Sequence, residues 1–257
     1  MIPYSAKVAY FTIVRKEVRR FMRIWVQSLI PPAITMTLYF LIFGSLIGSR
    51  IGQMGGYDYM TFVVPGLVMM AVINNSFSNV ASSFFSSKFQ NYIGELLVSP
   101  TPNIVILAGY VTGATIRGLM VGLIVILLSL FFTRLPVHSL ALTILVVVMS
   151  AVMFSLAGLI NGILANSFDD VSVIPTFVLT PLTYLGGVFY SISLLPEFWQ
   201  WVSLLNPILY LVNAFRYGLL GVSDVNIYYA LVGICVFLVA AFSWCMYLME
   251  HSNRLRD

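Results

Sequence analysis

Residues 139–165 read SLALTILVVVMSAVMFSLAGLINGILA, a run with no Asp, Glu, Lys or Arg in it. About 20 helical residues cross a hydrocarbon layer of about 30 Å, so this run is of spanning length. Hydrocarbon offers no partner for a backbone amide, so the run must be a helix, and it is far too long for a barrel strand. The same reading extends to 24–48, 61–85, 104–132, 173–192 and 227–249. The whole chain agrees: 60% of its 257 residues are hydrophobic, 9% are charged, and the mean hydropathy is +0.97. Soluble domains carry about 25% charged residues. The expected fold class is an all-α polytopic membrane protein with six transmembrane helices.

The stretch 195–221 fits that scheme less simply. Asn206-Pro207 lies near its middle and Arg216 further on, so neither half is long enough to span. It reads as a re-entrant hairpin of two short helices before the last span, with a kinked seventh span as the alternative. Pro207 removes a helix amide and Arg216 resists burial. The pair Asn206-Pro207 is therefore expected at the hinge, with Arg216 near the outer interface.

Charge sets the orientation. Lys7, Arg15, Lys16, Arg19, Arg20 and Arg23 precede the first span, Lys88 lies between the second and third, and Arg254 and Arg256 follow the last. The other side receives Arg50, Arg134 and Arg216. The positive-inside rule then places both termini in the cytoplasm, in keeping with an even number of spans. The net charge of +4 reflects this topology and gives no sign of nucleic-acid binding.

The N-terminus is too charged, and its first apolar run too long, for a cleaved signal peptide. Residues 4–23 form an amphipathic helix instead. At 100° per residue Tyr4, Phe11, Val14, Val18 and Met22 share a face that continues to Trp25, while Lys16, Arg19, Arg20 and Arg23 crowd another. Such a helix lies in the headgroup layer, drawn by anionic lipid. A topology anchor and a docking element are both open readings of it.

The sequence holds no catalytic set. Cys235 and Cys245 are about 15 Å apart on one helix, too far for a disulfide. His138 and His251 make no metal cluster, and no G-x-x-x-x-G-K-[ST] phosphate loop exists. No cofactor is expected in this chain.

Transport remains, and polar residues inside the spans say where to look. Asn74, Asn75, Ser76, Ser78 and Asn79 sit in the middle of the second span, and Arg117 near half depth in the third. Polar groups at that depth face other helices or a wet path. Asn74, Asn75, Asn79 and Arg117 are therefore candidates for a translocation pathway or a subunit interface, with interhelical hydrogen bonding as the plain alternative. Gly109, Gly113, Gly118 and Gly122 give small-xxx-small spacing for close helix packing. An ion-coupled carrier would want carboxylates inside spans, yet Asp169, Asp170, Glu197 and Asp224 lie at loops or span ends. Aromatic residues from Tyr184 to Tyr210 crowd the outer end, as an interfacial belt or as stacking surfaces for sugars.

The loop after the second span carries a further pattern. In 88–98, Phe89, Ile93, Leu96 and Leu97 fall on one helical face; Lys88, Gln90, Asn91 and Glu95 take others, and Pro100 and Pro102 stop the helix. A short amphipathic helix across the base of a bundle suits a partner that pushes on it.

Three segments carry a resemblance: FVVPGLVMM at 62–70, ELLVSP at 95–100, and 179–221 with LTPLTYLGGVFYSISLLPEFWQ followed by NPILYLVNAFRYGLLG. Over essentially its full length the chain resembles the permease subunits of the ABC-2 family of ATP-binding-cassette transporters. The resemblance implies a bacterial inner-membrane permease with an interfacial N-terminal helix, a coupling helix at 88–98 and re-entrant helices at 195–221. It implies half of an exporter, pairing with a second copy of itself and with two copies of a separate ATP-binding subunit that holds ATP and Mg. Lys88, Phe89, Gln90, Ile93, Glu95, Leu96 and Leu97 would then meet that ATPase, the apolar stripe docking and Glu95 adding a polar contact. An ion-coupled carrier and a membrane scaffold without transport are the competing classes. The cargo, whether amphiphile, glycan or drug-like molecule, is left open.

Overall fold

The computed structural model describes residues 4–252 as a helical bundle. Arg254 and Arg256 lie outside the described residues, as does the side chain of Tyr4. Helix α1 (Tyr4–Arg23) is followed by α2 (Trp25–Ile51), which contains Pro31 and Pro32 and loosens into a π-helical stretch at Phe40–Ile47. A two-residue β-hairpin, β1 (Gln53–Met54) and β2 (Tyr57–Asp58), leads into α3 (Tyr59–Phe89). Then come α4 (Tyr92–Val98), α5 (Asn103–Ser129) and α6 (Leu140–Leu164). Helix α7, at 168–185, holds a second π turn at Pro175–Leu179. A 3-10 turn at Ile192–Leu194 precedes α8 (Glu197–Leu204), α9 (Pro207–Leu220) and α10 (Ile227–His251).

Among the described residues five helices are long and apolar enough to cross a membrane: α2, α3, α5, α6 and α10. The chain is thus an all-α polytopic membrane protein. The fifth apolar run departs from the expected 173–192. Its helix begins earlier because Ser167 and Asp170 form a reciprocal capping box, and it ends at Leu185 because Gly186 and Gly187, the latter at φ +70°, turn the chain out of it. The hairpin between the first two spans was not legible as strand.

Helix α3 is the axis around which the others pack. Its apolar side chains from Phe62 to Phe77 form the main core with residues of α5, α6 and α9, and Val80 and Phe84 join a second cluster with Ile13, Ile93, Ile106, Tyr110, Leu159 and Met249. Glycines allow the close approaches. A methyl group at Gly66 would overlap the Val188 carbonyl, and one at Gly158 the Phe77 carbonyl. The glycines of α5 serve two different neighbours: Gly109 and Gly113 receive Ile13 and Glu17 of α1, whereas Gly118 and Gly122 receive Ser76 and Val72 of α3. Steps of four residues keep each pair on one face, and the step of five between Gly113 and Gly118 turns to another.

Candidate functional site

Helix α1 has three faces, not two. Phe11 and Met22 remain exposed, Arg15, Lys16, Arg19 and Arg23 form a basic flank, and Ala6, Ile13, Glu17 and Phe21 are buried. At 100° per residue these stripes stand roughly 120° apart. The buried stripe lies in the glycine notch of α5 and carries a carboxylate inward. Among the described residues Glu17 is the carboxylate that is fully buried. Its Oε2 accepts from the Ser83 hydroxyl at 2.6 Å and lies 3.4 Å from Arg20 Nε.

Arg20 continues the network into α3. Its Nη2 donates to the Asn79 carbonyl at 3.0 Å and to Asn79 Oδ1 at 2.7 Å. Arg117, from α5, reaches the same Oδ1 through Nη1 at 3.1 Å, and its Nη2 reaches Asn75 Oδ1 and the Ser28 carbonyl, each at 3.4 Å. Two guanidiniums therefore share one amide oxygen with a single carboxylate nearby. Asn75 and Asn79 face this pair, while Asn74 is turned away and donates to the Met70 carbonyl. On the flank, Lys16 Nζ donates to Ser87 Oγ and to Tyr110 Oη, each at 3.4 Å, tying α1 to the end of α3.

The short amphipathic helix differs from its expected outline. Lys88 and Phe89 belong to α3, and the turn at Gln90-Asn91, with Asn91 at φ 61°, separates them from α4. Asparagine tolerates that left-handed conformation better than most residues. The break splits the apolar stripe. Ile93 is 1% exposed, buried against Ile13, Phe84 and Tyr110, with Leu96 and Leu97 partly buried behind it. Phe89, Tyr92 and Val98 point outward, Val98 being 89% exposed. Lys88 is turned to the bundle, donating to the Ile163 and Ala165 carbonyls at 3.0 and 2.8 Å, where it covers the end of α6. Gln90 donates to Ser86 Oγ at 3.3 Å. Glu95 borders a cleft of about 500 Å³ between α1, α4 and α5, with Lys16 and Tyr92 on its other walls.

At the opposite end of the bundle, Asn206 caps α9 through Ile208 N–H at 3.0 Å and donates to the Leu182 carbonyl at 2.5 Å. Pro207 stands at the first helical position, where its missing amide costs nothing. Arg216 contradicts the expectation that it resists burial: it is 0% exposed. Nη2 donates to the Gly187 carbonyl at 2.6 Å, the guanidinium carbon lies 4.0 Å from the Phe62 ring centre, and Nη1 is 3.8 Å from Asp224 Oδ2. Asp224 in turn accepts from Ser191 Oγ and Ile192 N–H. The motif segments at 62–70 and 179–221 thus meet at one buried ion pair.

Against known proteins, a family model for the ABC-2 type transporter matches residues 8–220. The chain belongs to the ABC-2 type transporter family. It is 59% identical over 250 residues to the inner membrane transport permease YadH of Escherichia coli K12, covering 97% of this chain and 98% of that protein. It is 23% identical over 212 residues to nodulation protein J of Rhizobium leguminosarum bv. viciae, and 24% over 210 residues to that of Rhizobium meliloti, in each case covering 80% of this chain.

In this ABC-2 transporter chain, sequence reasoning missed Glu17. The residue sits at the edge of the apolar face, where a charge on an amphipathic helix reads as solvated, so the sequence alone gives it no buried role. The signal was present, because Tyr10, Ile13, Glu17 and Phe21 recur every three or four residues between the two faces that were recognised.

Proposed function

We propose that this chain is the transmembrane subunit of an ATP-driven exporter in a bacterial inner membrane. The observation that carries the reading is α4. This helix hangs from the end of the central helix, is anchored inward by Ile93, and presents Tyr92 and Val98 outward, beside exposed Phe89 at the end of α3, where the basic residues of α1 collect. A separate ATP-binding subunit, in two copies per pair of permeases, holds ATP and Mg and docks on that outward face. Its motion tilts α4, and Ile93 transmits the tilt to α1, α3 and α5. Coupling of this kind needs contacts that differ between two states of the bundle.

Helix α7 is the sixth span, about 27 Å long at 1.5 Å per residue. Helices α8 and α9 enter and leave from the outer side, hinged at Asn206-Pro207, and both termini are cytoplasmic. Two copies enclose the path, and the cargo is an amphiphile, glycan or drug-like molecule. The full-length likeness to an inner membrane transport permease supports the location, and the basic residues of α1 support the orientation.

Co-purification of the ATP-binding subunit with the tagged permease tests the assignment. Tyr92→Asp and Val98→Asp should release the ATPase while the permease remains folded; an interface anchor costs about 2 kcal/mol when removed, or about 30-fold in affinity. Ile93→Asp should destabilise the permease itself. Full recovery of the ATPase by both outward variants would refute docking on this face.

A further inference from the structure

The central helix α3 is buried almost throughout, and the residues left uncovered form a pattern. Between Tyr59 and Ser87 they are Met70, Asn74, Ser78, Ser82 and Ser86, one stripe at intervals of four. A helix window open to lipid should be apolar, as it is on α10, where Val232, Val236 and Val239 are exposed, and on α5, where Leu123 and Leu127 are. The window on α3 is polar for four of its five residues. Side chains of this kind at bundle depth face water or protein in preference to hydrocarbon. On α7, Ser172, Thr176 and Thr180 form an exposed polar row at intervals of four beside exposed Val173, Phe177 and Val178, and the Phe168 ring, 4.9 Å from Phe85 and 5.2 Å from Phe89, holds the foot of α7 beside the stripe.

Charge along one edge of the window is unbalanced. Asn75 and Asn79, each one residue on from Asn74 and Ser78, hold Arg117 and Arg20 there. Two guanidiniums face one carboxylate, Glu17, and Arg117 bonds amide and carbonyl oxygens without a carboxylate partner among the described residues. A net positive charge at this depth is costly unless an anion or water compensates it.

We propose that the Asn74–Ser86 stripe walls a water-filled cleft that receives the cargo, and that the cargo binds there through an oxyanion, a phosphate or carboxylate, placed at the Arg20–Arg117 edge. This rests on the transport reading and narrows its cargo to anionic amphiphiles. Hydroxyl and amide groups of the stripe supply neutral contacts, and Arg20 and Arg117 supply the charge.

Thiol labelling tests it in nanodiscs of phosphatidylcholine, with Cys235 and Cys245 replaced by alanine. Ser78→Cys and Ser82→Cys should react with water-soluble methanethiosulfonates about tenfold or more faster than Val236→Cys and Leu127→Cys, because a thiol in hydrocarbon is not ionised. Normalised to its rate on a free thiol in solution, a sulfonate-bearing reagent should gain about fivefold over a trimethylammonium one, as a single uncompensated charge at about 8 Å in water would impose. Arg117→Lys should keep that preference and Arg117→Gln should lose most of it. Dodecyl phosphate should slow the reaction where dodecyl maltoside does not. Rates equal to the lipid-facing controls, or a cationic reagent reacting as fast as the anionic one after both are normalised to a free thiol, would overturn the proposal. Slowing by phosphatidylglycerol nanodiscs with none by dodecyl phosphate would assign the edge to bilayer lipid and overturn it too. The labelling needs no ATPase, so its failure leaves the partner assignment standing, and failed co-purification leaves the cleft standing.

Discussion

Glu17→Ala isolates the contact on which the N-terminal helix depends. In the native chain the carboxylate is fully buried, 3.4 Å from Arg20 Nε and 2.6 Å from the Ser83 hydroxyl. Its removal leaves Arg20 and Arg117 as two cations around Asn79 with no anion, and leaves Ser83 without its acceptor. Removing one partner of a fully buried ion pair costs about 3–5 kcal/mol; Arg20 is 33% exposed and keeps its Asn79 bonds, so the lower end, about 3 kcal/mol, applies. For a chain of this size about 2–4 °C of Tm follows each kcal/mol, so Tm should fall by about 6–12 °C. Glu17→Gln, which keeps an acceptor for Ser83 and loses only the charge, should fall between. The double variant Glu17→Ala/Arg20→Ala should recover part of the loss, with a coupling of at least about 1 kcal/mol, because it removes the stranded cation. Thermal unfolding of the purified protein in one detergent, followed by intrinsic tryptophan fluorescence, measures all three. A Glu17→Ala Tm within about 2 °C of the native value would show that α1 rests on the surface and that the carboxylate holds nothing.

Arg216→Ala should destabilise the opposite end by about 3–5 kcal/mol through the unpaired Asp224, seen as new proteolytic cleavage near Ser191–Leu194. Gly66→Ala should lower Tm by an amount equivalent to about 1–3 kcal/mol, because its methyl group meets the Val188 backbone, whereas Gly94→Ala meets no neighbour and should be silent in the same scan. Cysteines at Glu197 and Asp224 should label from the same side of the membrane; labelling from opposite sides would make α8 and α9 a span. Arg117→Ala should lower export at equal expression without releasing the ATPase; native export by that variant would remove Arg117 from the path.

Apolar length and charge determined the class of this protein from the sequence alone. Hydrocarbon permits so few backbone conformations that a run such as 139–165 can only be a helix, and it is found at Leu140–Leu164. The short helix after the second span was legible from its apolar spacing, as were the break between two short helices at Asn206-Pro207 and the close packing at the α5 glycines. Tertiary structure decided which face of each helix meets which neighbour. A helical wheel gives the angle of Ile93 but not that α1 and α5 already cover it, so a stripe expected to dock a partner is half inside the chain. Arg216 was expected outside because an isolated cation resists burial, and it is buried because Asp224, eight residues on, and the Gly187 carbonyl and Phe62 ring, both far off in sequence, converge on it. Glu17 went unread for the same reason, and Arg20 was expected on the basic face alone. A charge on an amphipathic helix is solvated by default, and only the notch at Gly109 and Gly113 draws this one into the bundle.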